Sequence, residues 1–564
     1  MKLFNKKILA IAVLITTLFA GCKKLDSLID NPNSVDPSSA NVDLLLNGAQ
    51  LSFKNTYTDL SDAGASLTRQ QQMYGPLYNN AYTTTSFDGT WSSAYTGVIK
   101  STNAVIPLAL QQKKYIQAGI AQVLKAYTLG SLVDFFGNVP NSEATLGQDN
   151  LNPKADPGAD VYKNVLVLLD SAIANFSKTG GGSGPTNDLF FAGSATKWRT
   201  AAKTLKLKFL MQTRLVDNAV TAQIQSLITA NDLIDVASED FVFKYSTVNT
   251  SPDSRHPHYA ANYNNANTGN NNANDFIGNY FMWVVGVEKS GTGSVTSLDP
   301  RRRYYFYRQR TNYADANSSS CPCTTQPFPG HYSPEMPFCL VGAGYWGRDH
   351  GDNTGIPPDG PLRTTWGVYP AAGEFDASQG TSVNNTRGGK GAGIDPIFTS
   401  SFTYFIEAEA ALKLGITVAG TPRALLENGI RASITKVLAF PATVNVVVPA
   451  ANIPSTATID NYVNTVLALY DAAATDAQRL NIIMREYYIA SWGNGIEPYN
   501  NYRRTGCPNN MQLTVTTPSP GFFIRSFFYP SVYINRNINA PAQKNPGLAA
   551  NKVFWDNNPD NFIK

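Results

Sequence analysis

Charge is scarce in this 564-residue chain, where Asp, Glu, Lys and Arg together make up 15% of the residues. Lysine and arginine number 45 against 41 acids, and residues 1–21 hold three of the lysines and no acid. The remainder is therefore near neutral and offers no broad basic face, which excludes nucleic acid as a partner. Histidine is scarcer still, at four: His256, His258, His331 and His350. No Gly-x-Ser-x-Gly elbow, His-Glu-x-x-His helix or phosphate-binding loop occurs, so the hydrolase, zinc-protease and nucleotide chemistries that need them are not expected, and nothing calls for a cofactor. Glycoside hydrolysis asks only for two carboxylates at a set separation, so a lipid-anchored glycoside hydrolase stays open as an alternative. Beyond residue 21 no stretch approaches the ~20 apolar residues of a membrane-spanning helix.

What is present begins at the N-terminus. Lys2, Lys6 and Lys7 precede the apolar run Ile8 to Phe19 and then Ala20-Gly21-Cys22. A basic start, a hydrophobic stretch too short to span, and small residues at the cut read as a signal peptide over 1–21. A Cys directly after Ala-Gly reads as a lipidation site, so Cys22 is expected to carry the anchor. Each buried methylene of an acyl chain contributes about 0.8 kcal/mol, and more than one chain is needed for stable attachment. Residues 22–42, with Asn31-Pro32-Asn33 and Asp36-Pro37, read as a tether.

The body, 43–564, divides by pattern. Over 43–244 helical periodicity dominates, clearest in Tyr115 to Phe136 (stopped by Gly137-Asn138-Val139-Pro140), in Asp160 to Phe176 and in Trp198 to Leu215, whose exposed side is expected to carry Lys203, Lys206 and Lys208. Residues 245–395 form a lobe rich in Asn, Gly, Ser, Pro and aromatics with few helical stripes. Over 396–564 helices resume at Phe402 to Leu414, Ala424 to Val437, Ile459 to Ala473 and Ala477 to Trp492, before a final turn-rich stretch. The expected class is mainly α, a tetratricopeptide-like scaffold of paired helices carrying a large irregular loop-rich lobe. Export permits disulfides among Cys321, Cys323, Cys339 and Cys507, and one of the first two joined to Cys339 would clamp a Pro-rich loop.

The lobe is also where ligand-binding residues are sought. Sugar rings are held by flat aromatic faces, with amides and carboxylates on the hydroxyls. Trp283, Tyr304, Tyr305, Tyr307, Tyr345, Trp346, Trp366 and Tyr369 supply such faces, against the simpler reading that large aromatics fill the core. The candidates are Tyr345 and Trp346 beside Arg348 and Asp349, with Trp366, and Tyr74 and Trp91 earlier in the chain. Asp349, Asp352, Asn353 and Asp359 are weak Ca²⁺ candidates, since their spacing is not that of an EF-hand. Arg301-Arg302-Arg303 reads as a solvated turn rather than an anion site. Glu497, Arg503 and Arg504 read as a structural ion pair rather than a catalytic acid with modulators.

Several stretches carry a resemblance. Lys125-Ala126-Tyr127 with Leu132 to Pro140 and Ser142-Glu143 resembles the "Ala-Tyr … Asp-x-Phe-Gly-x-Val-Pro … Glu" segment of SusD/RagB outer-membrane lipoproteins. Lys197-Trp198 and Thr204 to Leu207 match that family's next helix. Gly347 to Gly351, Pro357-Pro358-Asp359, Gly495 to Tyr499 and Tyr502 to Gly506 resemble its second SusD-like subfamily. The resemblance implies a SusD-like fold without catalytic residues, lipid-anchored at the outer membrane and displayed on the surface. Its implied role is capture of an oligosaccharide, or of a peptide as in RagB-like members, for a SusC-like TonB-dependent transporter. Lys23 and Lys24 stand where surface-exported members often carry acids.

Overall fold

The computed structural model describes residues 41–263, 275–290, 299–311, 326–353 and 363–564. The leader, Cys22 and nearly all of the tether lie outside them, as do Cys321, Cys323 and Asp359.

The first helix, α1 (Val42–Leu67), starts where the Asn41 carboxamide accepts hydrogen bonds from the Asp43 and Leu44 amides, satisfying groups that a helix start leaves bare. Leu46, Ala49, Phe53, Tyr57, Leu60, Gly64 and Leu67 recur at helical spacing and are buried. Two short helices, α2 (Tyr78–Ala81) and α3 (Asp88–Ser92), follow, and a π-helical turn over Ser93–Ile99 leads into α4 (Lys100–Gln111). Next come α5 (Tyr115–Phe136), α6 (Gly158–Phe176), α7 (Ala195–Thr213) and α8 (Val220–Ala230). The α5 sequence shows one apolar stripe, yet the helix is buried nearly all round, because α1, α4, α6 and α7 all pack against it. Gly137 ends it with φ +76, a conformation costly to any residue with a Cβ.

Strand β1 (Phe241–Lys244) pairs antiparallel with β4 (Ile394–Phe398), and the loop-rich segment enters and leaves through this ladder. Within that segment lie α9 (Pro257–Asn262), α10 (Asn279–Gly286), α11 (Arg302–Tyr305) and the antiparallel pair β2 (Phe306–Arg308) and β3 (Thr364–Trp366). The last third is α12 (Ser400–Leu414), α13 (Pro422–Thr443), α14 (Thr456–Ala472), α15 (Asp476–Ala490), α16 (Ile496–Thr505) and α17 (Ser531–Ile534). Helices α12 and α13 pair closely, and α15 packs on both. The architecture is mainly α with a loop-rich lobe, and among the described residues no helix is long and apolar enough to cross a membrane.

Three expectations need correction. Lys208 is not on an exposed face: its Nζ lies 2.5 Å from Glu497, with both side chains buried. The Arg301–Arg303 run is not a solvated turn, for Arg301 is fully buried and forks onto Asp299 while also donating to Glu486. Glu497, Arg503 and Arg504 are buried and structural but do not pair with one another. Glu497 takes Lys208 and the Tyr487 hydroxyl, Arg504 takes Glu409, and Arg503 donates to the backbone carbonyls of Asp134 and Arg525. Cys339 is disulfide-bonded and Cys507 is a free buried thiol.

Candidate functional site

Of the aromatic candidates, the structure leaves one in solvent. Tyr74, in the loop after α1, is 60% exposed. Trp91 is buried, stacked on Tyr533 at 4.9 Å and set edge-on to Phe136. Trp366 lies between His258, 3.8 Å away and nearly parallel, and Trp492, at 4.0 Å, so neither face of its indole is free for a ligand. Tyr345 is buried beneath the guanidinium groups of Arg302 and Arg308, and Trp346 is buried beside it. The other five aromatics of the lobe (Trp283, Tyr304, Tyr305, Tyr307 and Tyr369) are core residues as well. The physical reason is supply. With few regular elements, the lobe builds its core from ring-on-ring packing rather than from helix stripes.

Arg348 and Asp349 also lie inside. Arg348 pairs with Asp352 at 3.3 Å and covers the Phe276 ring. The Asp349 carboxylate accepts from the Cys339 amide (2.7 Å) and the Gln512 carboxamide (2.9 Å), and burial pushes its pKa up to about 6. Both carboxylates are thus spent on protein donors, while Asn353 is exposed. Among the described residues no group of three or more His, Cys, Asp or Glu is placed to hold a metal ion.

A different set of residues lines an open cleft of about 380 Å³ at the C-terminal half of α1. One wall is Asp59, Asp62, Ala63 and Ser66 of α1, and the other is Tyr82, Ser86, Phe87, Gly89 and Thr90. Asp59, Asp62 and Ser66 share a wall because they follow each other at i, i+3 and i+7. The opposite wall is fixed from both ends. The Thr90 hydroxyl donates to Asp59 (2.8 Å) and the Tyr82 hydroxyl to the Ala63 carbonyl (3.3 Å). Beyond the wall, Asp88 accepts from the Ser531 hydroxyl and the Val532 amide. The Tyr82 ring, half-buried, stacks on Phe87 and meets the edge of Phe527.

Behind the cleft is a polar relay. Asp62 accepts from Gln71 (3.3 Å) and is bridged by His258 Nε2 (2.9 Å), while His258 Nδ1 reaches Asp275 (3.0 Å). Burial disfavours the imidazolium, but carboxylates on both ring nitrogens outweigh it and hold the His258 pKa well above its ordinary value. The adjacent His256 shows the reverse: burial, reinforced by the His258 and Lys54 charges, pushes its pKa well down. Asp59 is raised by burial against the opposing Thr90 hydrogen bond. The cleft therefore offers carboxylates, hydroxyls and the half-buried Tyr82 ring, the kinds of group that bind a polyhydroxylated ligand. Sequence reasoning missed these residues. The sequence offers only a partial signal, Asp59 and Asp62 one turn apart on α1 followed by the hydroxyl run Tyr82-Thr83-Thr84-Thr85-Ser86.

Comparison with known proteins accords with this architecture. Residues 32–319 match the family model described as SusD-like, starch-binding associating with outer membrane, and residues 393–537 match that of SusD and RagB outer membrane lipoproteins. No curated protein matches the sequence significantly. Among solved structures, a SusD/RagB family protein from Bacteroides thetaiotaomicron is similar over 92% of this chain and 100% of its own, at 17% identity and a TM-score of 0.63. A SusD homologue from Bacteroides fragilis covers 92% and 99% at 16% identity and 0.61. A chitin-binding SusD homologue from Flavobacterium johnsoniae covers 92% and 99% at 17% identity and 0.60. With a family model spanning half its length and the helical architecture of these structures, the chain belongs to the SusD/RagB family of outer-membrane lipoproteins.

Proposed function

We propose that this protein is a non-catalytic nutrient-binding lipoprotein of the outer membrane, held through Cys22, which captures an oligosaccharide and passes it to a SusC-like TonB-dependent transporter. The observation that carries the reading is the cleft on α1, where Asp59, Asp62 and Ser66 on one wall face Ser86, Thr90 and the half-buried Tyr82 ring on the other. Family membership points the same way through the starch-binding description of the model matched over 32–319, and a chitin-binding homologue shares the fold. In this reading the Tyr82 ring packs against a sugar and the carboxylates accept sugar hydroxyls, while Tyr74, exposed but not part of the cleft lining, is a separate candidate contact. The buried Tyr345, Trp346, Arg348, Asp349 and Trp366 keep the lobe in shape. The division into a leader over 1–21, a tether over 22–42 and a ligand-binding body over 43–564 belongs to the same proposal.

The test is a panel of neutral oligosaccharides and short peptides presented to the wild-type protein and to Tyr82→Ala, with product analysis after long incubation. Binding of a glycan that weakens about tenfold or more in Tyr82→Ala, without shortening of the glycan, supports the reading. Shortened products would favour a hydrolase, and retention of peptides alone would favour a RagB-like peptide carrier.

A further inference from the structure

A second groove, sharing no residue with the cleft, opens between the ends of α7 and α12, the start of α15, the end of α16 with the chain after it, and Phe562, Ile563 and Lys564. Its volume is about 540 Å³, within the range of small-ligand sites. Its lining includes Arg214, Lys413 and Arg504, the polar Asn481, Asn509 and Thr505, and apolar Leu480 and Met511, with no acidic side chain.

The charge balance behind that lining is uneven. Glu409, fully buried, accepts from Arg214 Nε (2.9 Å) and Nη2 (2.8 Å) and from Arg504 Nε (3.0 Å) and Nη2 (2.6 Å), so one carboxylate serves two guanidinium groups. Arg504 also donates to Gln212 and Asn501. Arg214 Nη1 has no partner among the described residues, and Glu409 fixes the plane in which it is presented. The neighbouring buried pair, Lys208 with Glu497, is balanced and adds no anion. Lys413, in the last turn of α12, is exposed and has no ion pair among the described residues. The acid beside the groove, Asp476, is taken by Arg479 at 2.9 Å.

We infer that this groove is a second binding site, for a short carboxylate-bearing oligosaccharide. A guanidinium held in a fixed plane suits a planar carboxylate, and Lys413 adds an untethered point charge. Asn481, Asn509 and Thr505 then meet the sugar hydroxyls. A groove of about 540 Å³ suits one short ligand.

The experiment is calorimetric titration of the full chain in detergent, at low salt, with trigalacturonate and with its methyl ester. The acid is expected to bind about tenfold or more tightly than the ester. Lys413→Glu, on an exposed position, should lose that preference without a change in melting temperature, and Tyr82→Ala should retain it. Equal binding of acid and ester, binding of neither, or loss in Tyr82→Ala with retention in Lys413→Glu would each overturn the inference.

Discussion

His256 and His258 are two residues apart and both buried, and their surroundings push their pKa values in opposite directions. Asp62 and Asp275 bracket His258 and favour its cation, whereas among the described residues the ion-pair partner of His256 is Asp395 at 3.8 Å. Nitrogen-detected NMR at pH 7 should find His258 doubly protonated and His256 neutral. The raised pKa of His258 contributes stability that is fully present below pH ~6.5 and is lost as pH rises through the higher folded value. A His258 that titrates near its ordinary pKa would contradict the relay. Glu409 makes the opposite case. Its two arginine partners outweigh the cost of burial and bring its pKa down to about 2. A depressed carboxylate pKa stabilises the fold above the unfolded value and loses that contribution on acidification, here between about pH 5 and 2. The shift corresponds to about 3 kcal/mol. Urea melts across that window should show the loss in the wild type and little of it in Glu409→Gln, which should already be destabilised by about 3–5 kcal/mol at neutral pH because two buried guanidinium groups lose their anion.

At the scale of elements, α1 and the turn before α16 touch through backbone. A Cβ on Gly64 would come 2.2 Å from the Gly495 carbonyl oxygen, and one on Gly495 would come 2.0 Å from the Ser61 carbonyl oxygen. Neither obstacle is a side-chain tip that could swing away. Gly64→Ala and Gly495→Ala should each cost about 1–3 kcal/mol or more, read as a lower urea midpoint. They should also disturb the cleft wall, since Asp62 and Ser66 flank Gly64 on the same helix. The long helices were legible in sequence because apolar residues recur at helical spacing along them, and in α5 the run is closed by a stop signal, Gly137. The lobe was harder to read. Trp366, Tyr345 and Trp346 have the composition of a binding surface and the positions of a core, and composition alone does not separate the two. Lys208 was misplaced for a related reason. Its partner Glu497 lies far along the chain, so α7 gives no local sign that this lysine points inward.

For the whole molecule, the Cys22 leader pointed to export and the SusD/RagB resemblance of several segments to ligand capture, and the paired helices with an irregular lobe match the architecture found. The cleft itself was not legible, because it exists only when residues 82–90, folded back by Tyr82 and Thr90, face α1. The measurement that bears most directly on that cleft is recovery of ligand. The full chain would be immobilised, exposed to a mixture of neutral oligosaccharides of known length, washed, and stripped for mass analysis, with Asp59→Asn and Tyr82→Ala run alongside. The account predicts that one class of glycan is retained by the wild type at unchanged length and is depleted about tenfold or more on both variants. Retention that is indifferent to both substitutions, or recovery of shortened chains, would contradict it.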